Sequence, residues 1–236
     1  MYTQLVDKYE VKQIVSDQIG EQYVIPTLGV WDTFDEIDFS KLPDKFVLKC
    51  THDSGSQAIC TDKRKFDKER CKRHFEKCLR HNYFWGQREW PYKNVKPRII
   101  AEKYMVDSTT HDLRDYKFFA FNGKVRAMFI ATERQNAREE TKFDFFDENF
   151  VHLPFLNGHP NAKTMPPKPQ NFEEMKQLAE KLSRGLPQVR IDFYEADGCS
   201  YFGEFTFFHW SGMTPFEPAE WDSIFGKWID LSLVRK

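Results

Sequence analysis

The pair Asn122-Gly123 lies between two runs rich in aromatic and β-branched residues, Tyr116–Phe121 and Lys124–Thr132. Asn-Gly suits a two-residue turn with positive φ at both central residues, the turn whose twist matches the strands it joins. The chain therefore contains an antiparallel hairpin. Val189–Tyr194 and Ser200–Phe208, flanking Asp197-Gly198, predict a second. Four helical patterns accompany them. Val6–Ile19 carries Val11, Ile14, Val15 and Ile19 on one face and stops at Gly20, and Phe66–Tyr83 reads as a long charged helix. Phe172–Leu182 has the stripe Met175, Leu178, Ala179 and Leu182, and Pro218–Leu233 closes the chain. Tyr23–Ile25, Phe46–Lys49, Ala58–Cys60 and Arg98–Met105 read as short strands, and Leu153–Pro169 as a Pro/Gly/Asn-rich loop. Helices alternating with antiparallel hairpins give an α+β fold, not a parallel doubly wound sheet.

Charge bounds the partners. The 35 Lys+Arg balance 36 Asp+Glu, without the basic surplus of a nucleic-acid binder. No apolar run approaches the roughly 18–20 residues of a membrane span, and MYTQLVDKYEVK has no signal-peptide core. The expectation is a soluble cytoplasmic protein with no nucleic-acid partner. Five cysteines without a CxxC pair suggest neither a disulfide framework nor a Cys-rich zinc site, and Cys71 and Cys78, seven apart in a helical pattern, are expected to pack. His52 stands out because of its loop.

The second hairpin, VRIDFYEADGCSYFGEFTFFHWSG, concentrates polar groups. Arg190 and Asp192 share one face of their strand, and Glu204 and Thr206 one face of the next. A two-residue loop sets Asp192 opposite Gly203 and turns Glu204 away. A three-residue loop, Ala196-Asp197-Gly198, sets Arg190 opposite Glu204 and gathers all four, with Phe193, Phe205 and Phe207 toward a core. The aromatic side favours three residues. Two carboxylates there need a positive partner: Arg190 as an ion pair, or Mg²⁺, which takes carboxylate oxygens and bridges them to phosphates, with Thr206 as a neutral oxygen donor.

In FVLKCTHDSGS, Lys49 ends an apolar strand and Ser54, Gly55 and Ser56 form a small-residue loop whose backbone N–H groups can approach an anion. Neither GxxxxGK[ST] nor GxGxxG occurs. Alone, a lysine before such a loop also describes a solvated turn.

The order of these motifs, from about Val6 to Pro218, resembles the ATP-grasp superfamily, and more closely its TupA-like branch, named for teichuronopeptide biosynthesis. Asp7-Lys8 resembles the start of the helix carrying a phosphate-binding lysine in D-alanine–D-alanine ligases. FVLKCTHDSGS resembles the strand and glycine-rich lid whose lysine, here Lys49, reaches the nucleotide phosphates. IIAEKYM resembles the hinge strand, which implies that Glu102 lies near the adenine amino group and that the backbone from Lys103 through Tyr104 to Met105 reads the adenine edge. DYKFFAFNGKV resembles the strand with Asp115 near the ribose or substrate side and Lys117 at the phosphates in place of the usual Arg. VRIDFY resembles the strand that gives Arg190 a phosphate role and Asp192 a metal role, and YFGEFTFFHWSG the strand with Glu204 as bridging metal ligand. Thr206 stands where many relatives have Asn, and Ser211-Gly212 replaces Pro-Gly.

The resemblance implies two α+β subdomains with antiparallel sheets clasping a nucleotide: an N-terminal helix over 1–20, a lid subdomain over 21–105 and a metal-bearing subdomain over 106–236. It implies ATP and one or two Mg²⁺ as cofactors. It also implies a carboxylate and an amine as substrates, a glycan or amino acid among them, joined through an acylphosphate in cell-surface polymer assembly. Lys49, Lys117 and Arg190 would act on the phosphates. Arg134 is a candidate for a substrate carboxylate, and His209 and Trp210 for lining the acceptor site. The superfamily's usual preceding α/β domain does not stand before residue 7, so the expectations are a fragment, a minimal family member or a partner protein supplying that domain. A sugar or polyol kinase and a non-catalytic nucleotide-binding domain are the other readings.

Overall fold

The helix predicted over 6–19 starts later, as α2 (Glu10–Ile19), with a separate α1 (Tyr2–Val6) before it, in the computed structural model, which describes residues 1–109, 113–133 and 140–233. The break is made by Asp7. Its backbone is extended, and its Oδ1 accepts the Tyr9 and Glu10 N–H groups at 2.8 and 3.2 Å. A carboxylate taking amides two and three residues on restarts a helix rather than continuing one. Gly20, at φ 119°, ends α2.

The chain divides into two compact units, Met1–Met105 and Val106–Lys236. In the first, β1 (Thr27–Trp31), β2 (Phe46–Cys50), β3 (Ala58–Cys60) and β4 (Ile99–Lys103) form an antiparallel sheet in the order β1-β4-β2-β3. The strand predicted at 23–25 lies later. Glu21–Tyr23 is a 3₁₀ turn, Val24 makes a single bridge, and the strand itself begins past Pro26, which has no N–H to give a ladder. Phe46, Leu48 and Cys50 alternate inward from β2 and meet Cys71 and Phe75 of α3 (Lys68–Leu79) in one core. The predicted helix over 66–83 stops at Leu79 because Asn82 caps a new one, α4 (Tyr83–Gln87), accepting the Phe84 N–H at 3.0 Å.

The second unit holds five antiparallel strands, β5 (Arg114–Phe121), β6 (Lys124–Thr132), β7 (Lys142–Asp147), β8 (Val189–Ala196) and β9 (Cys199–Thr206), in the order β7-β6-β5-β8-β9. Asn122 and Gly123 turn β5 into β6 with φ 47° and 82°, as their sequence predicts. α5 (Phe172–Leu182) buries Phe172, Met175, Ala179 and Leu182, and its Phe172 lies 6.0 Å from Phe118 of β5. Phe119 and Phe121 point the other way, onto Phe225 of α6 (Glu220–Trp228). The closing helix is shorter than the 218–233 expected. Ile229 turns extended, and Asp230 accepts the Ser232 N–H to begin a separate turn at Leu231–Leu233.

The β8–β9 hairpin corrects the expected loop. Ala196 pairs with Cys199, so the loop is the two-residue Asp197-Gly198, with φ 51° and 73°. A bulge then restores the face: Phe193 pairs with Phe202 but Asp192 with Glu204, leaving Gly203 unpaired. Arg190 lies opposite Thr206, not Glu204.

Candidate functional site

In the first unit two lysines converge on one carboxylate. Glu102 of β4 pairs with Val47 of β2, so their side chains share a face with Lys49. Lys49 Nζ donates to Glu102 Oε2 at 2.7 Å, and Lys12 of α2 lies 2.5 Å from Oε1. Burial pushes the Glu102 carboxyl up, but Lys49 and Lys12 outweigh it and hold it down at about 2. Burial lowers the Lys12 ammonium from its ordinary range, with Glu102 opposing. Sequence reasoning passed over Lys12. Its signal was its place four residues after Lys8, one helical turn along the same segment.

Lys8 is bound to the loop after β2. Its ammonium donates to the Asp53 carbonyl and its amide to the Thr51 carbonyl at 3.1 Å. Within that loop the buried Ser56 hydroxyl donates to Asp53 Oδ1 at 2.6 Å and accepts the Cys50 N–H at 2.9 Å, so it is used internally. Ser54 and Gly55 are exposed, Gly55 at φ 93°. His52 is buried, with Nε2 3.2 Å from the Cys78 and His81 carbonyls at the end of α3, where it anchors the loop. At the hinge the Lys103 N–H donates to the Pro26 carbonyl at 3.0 Å. That donor is taken within the first unit. Tyr104 and Met105 are half-buried past the end of β4.

In the second unit, pairing gathers charge on one sheet face. Lys117 of β5 lies opposite Asp192 of β8, and Asp192 opposite Glu204 of β9. The Lys117 ammonium donates to Asp192 Oδ2 and lies 3.6 Å from the buried Asp115 carboxylate. Arg190 grips Asp192 with two bonds, Nε to Oδ1 at 2.7 Å and Nη2 to Oδ2 at 2.9 Å. Nη2 also donates to Glu204 Oε1 at 3.1 Å and Thr206 Oγ1 at 2.9 Å. Thr206 donates in turn to Glu204 at 3.2 Å. Burial pushes the Asp192 carboxyl up, yet Arg190 and Lys117 hold it at about 2. The Glu204 side chain is 36% exposed against 1% for Asp192, so the cluster opens at Glu204.

His209 completes this cluster. Its Nδ1 accepts Arg190 Nη1 at 2.7 Å, and its ring lies 5.2 and 5.3 Å from those of Phe119 and Phe129. Burial, then Arg190, lowers its pKa well below the ordinary histidine value, so the ring is neutral. It therefore holds Arg190 in place. Trp210, 41% exposed, stacks toward Phe143 and covers Gly158, where a Cβ would stand 2.6 Å from the indole Nε1. Arg134 lies outside the described residues.

The family model for TupA-like ATPgrasp matches residues 1–230. The chain belongs to the TupA-like ATP-grasp family. Its fold is that of ATP-grasp proteins. D-alanine–D-alanine ligase from Bacillus anthracis complexed with ATP is 15% identical, with a TM-score of 0.50 over 86% of this chain and 54% of that one. The same enzyme from Helicobacter pylori is 13% identical, with a TM-score of 0.50 over 88% and 52%. The ATP-grasp ligase PsnB complexed with minimal precursor is 9% identical, with a TM-score of 0.50 over 87% and 53%. The TupA-like chain spans about half the length of these neighbours. No curated protein matches it in sequence. Among the described residues, no helix is long and apolar enough to cross a membrane.

Proposed function

We propose that this TupA-like chain is an ATP-dependent, ADP-forming ligase that joins a carboxylate to an amine through an acylphosphate. The product would be a cell-surface polysaccharide or teichuronopeptide-type polymer, a setting that rests on the family's name. The observation that carries the reading is the Lys117–Asp192–Arg190–Glu204 cluster: two cations and two carboxylates on one sheet face of an ATP-grasp chain.

In this reading the substrate carboxylate attacks the γ-phosphorus of ATP and ADP leaves. The amine then attacks the acyl carbon, and the bond to phosphate breaks. Phosphoryl transfer asks chiefly for positioning and neutralised charge. Lys8, Lys49, Lys117 and Arg190 carry that charge, with the exposed backbone at Ser54 and Gly55 facing phosphate oxygens. Glu102 and the stretch from Lys103 to Met105 serve the adenine, through atoms other than the committed Lys103 N–H. Asp115 orients Lys117. Asp192, Glu204 and Thr206 offer oxygen atoms only, the donor type that Mg²⁺ takes. They would hold the ion, which when bound neutralises phosphate charge.

Hydroxylamine trapping tests this. With ATP and an accepted carboxylate, hydroxylamine should intercept the acylphosphate and yield a hydroxamate with stoichiometric ADP. ADP formed from a sugar or polyol alone, without hydroxamate, would replace the ligase with a kinase. No ADP with any acceptor would leave a nucleotide-binding domain.

A further inference from the structure

One cluster in the first unit has no part in the chemistry above. Cys50 ends β2, Asp53 lies in the following loop and Cys78 sits in the last turn of α3. Both sulfurs and an Asp53 carboxylate oxygen lie within 4.8 Å of one another. Cys50 and Asp53 are buried and Cys78 is half-buried.

Two thiols alone would be ordinary core, since free cysteine packs as a small apolar residue. Asp53 does not fit that account. Its side chain is almost removed from solvent, and its carboxylate accepts the Ser56 hydroxyl. Among the described residues no ion pair reaches it, and the nearby Lys8 ammonium donates to the Asp53 carbonyl rather than the carboxylate. A buried carboxylate without a cation is costly. The sulfurs do not relieve it, because a thiol brings no positive charge. A metal cation would compensate all three groups at once.

We propose that Cys50, Asp53 and Cys78 bind zinc, tying the loop after β2 to helix α3. Two thiolates with a carboxylate oxygen suit zinc rather than a hard cation. Tetrahedral zinc sets such ligand atoms about 3.5–3.8 Å apart, a range inside the 4.8 Å limit that these atoms meet. His74, one turn before Cys78, has its Nε2 3.8 Å from Cys78 Sγ but bonded to the Ser56 carbonyl at 3.3 Å, so the fourth position is left to solvent. Binding forms two Zn–S bonds and one Zn–O bond, releases both thiol protons to solvent and changes no oxidation state. Cysteine spacing gave no warning, because α3 packing on β2 brings together residues far apart in sequence. The site does not depend on the nucleotide reading.

The test is titration of the full chain, reduced and metal-free, with Co²⁺ in the presence of excess Mg²⁺. One equivalent should produce thiolate-to-cobalt charge-transfer absorption, which the oxygen donors at Asp192 and Glu204 cannot give. One equivalent of Zn²⁺ should abolish it and raise the thermal midpoint. Asp53→Asn should weaken Co²⁺ binding at least tenfold, and Cys78→Ser, at a half-buried position, should lose the band while keeping its circular dichroism. Cys199→Ser, exposed in the second unit, should behave as wild type. No band in the wild-type chain, or a band of equal intensity in Cys78→Ser, would overturn the site.

Discussion

Gly203 lies against the Asp192 backbone: a Cβ at Gly203 would stand 3.1 Å from the Asp192 carbonyl oxygen and 3.1 Å from Tyr194 Cε2. This close approach is the bulge that turns Glu204 onto the face of Asp192. Without it, the two-residue loop would carry Glu204 to the opposite face.

Gly203→Val should therefore damage the site and the fold together. Overpacking of this kind costs about 1–3 kcal/mol, read as a lower urea midpoint. The Mg²⁺ enhancement of nucleotide binding should fall further than stability does. A variant that keeps both wild-type stability and full Mg²⁺ enhancement would show that the bulge does not set the face.

Acid should weaken both units. Burial pushes the Glu102 and Asp192 carboxyls up, but their cationic neighbours hold them at about 2, below the ordinary 4.5 and 3.8. A carboxyl depressed in the folded state stabilises above its unfolded pKa, and that contribution is lost as pH falls through the folded value. Each is worth roughly 2–4 kcal/mol. Unfolding free energy should drop between about pH 5 and about pH 2, and Glu102→Gln or Asp192→Asn should flatten that drop. Urea titrations across the range check it; unchanged slopes in both variants would contradict the ion pairs.

Lys12 and Glu102 should be strongly coupled, because the half-buried Lys12 lies 2.5 Å from the buried carboxylate. In a double-mutant cycle of Lys12→Met and Glu102→Gln, the interaction energy should be about 1–3 kcal/mol. Additivity within about 0.5 kcal/mol would mean that Lys49 alone sustains Glu102.

His209→Phe removes the acceptor of Arg190 Nη1 and should cost about 1–3 kcal/mol. His209→Gln retains an acceptor and should recover part of that loss. Equal destabilisation in the two variants would make ring packing on Phe119 and Phe129 the main role.

Much of this was legible in the sequence where local chemistry decides. Asn122-Gly123 announced its hairpin, and Phe172–Leu182 showed its buried stripe with the helix ends in place. The α2 break was missed because Val6, Val11 and Val15 keep a helical period across Asp7, whose Oδ1 restarts the helix by taking the Tyr9 and Glu10 N–H groups. The polar face was legible as residues but not as geometry. The loop length was misread because alternation allows two registers, and only a bulge at Gly203 reconciles a two-residue turn with an inward aromatic face. Lys12 and His209 matter through partners distant in sequence, which no local pattern records.

We propose that the Asp192–Glu204 face binds Mg²⁺ with ATP. Calorimetric titration of the full chain with a non-hydrolysable ATP analogue, with and without Mg²⁺, tests it directly. The expected result is binding that tightens at least tenfold with Mg²⁺ in the wild-type chain, with the enhancement lost in a folded Glu204→Gln variant. Equal affinity with and without Mg²⁺, or an enhancement that survives in Glu204→Gln, would contradict it.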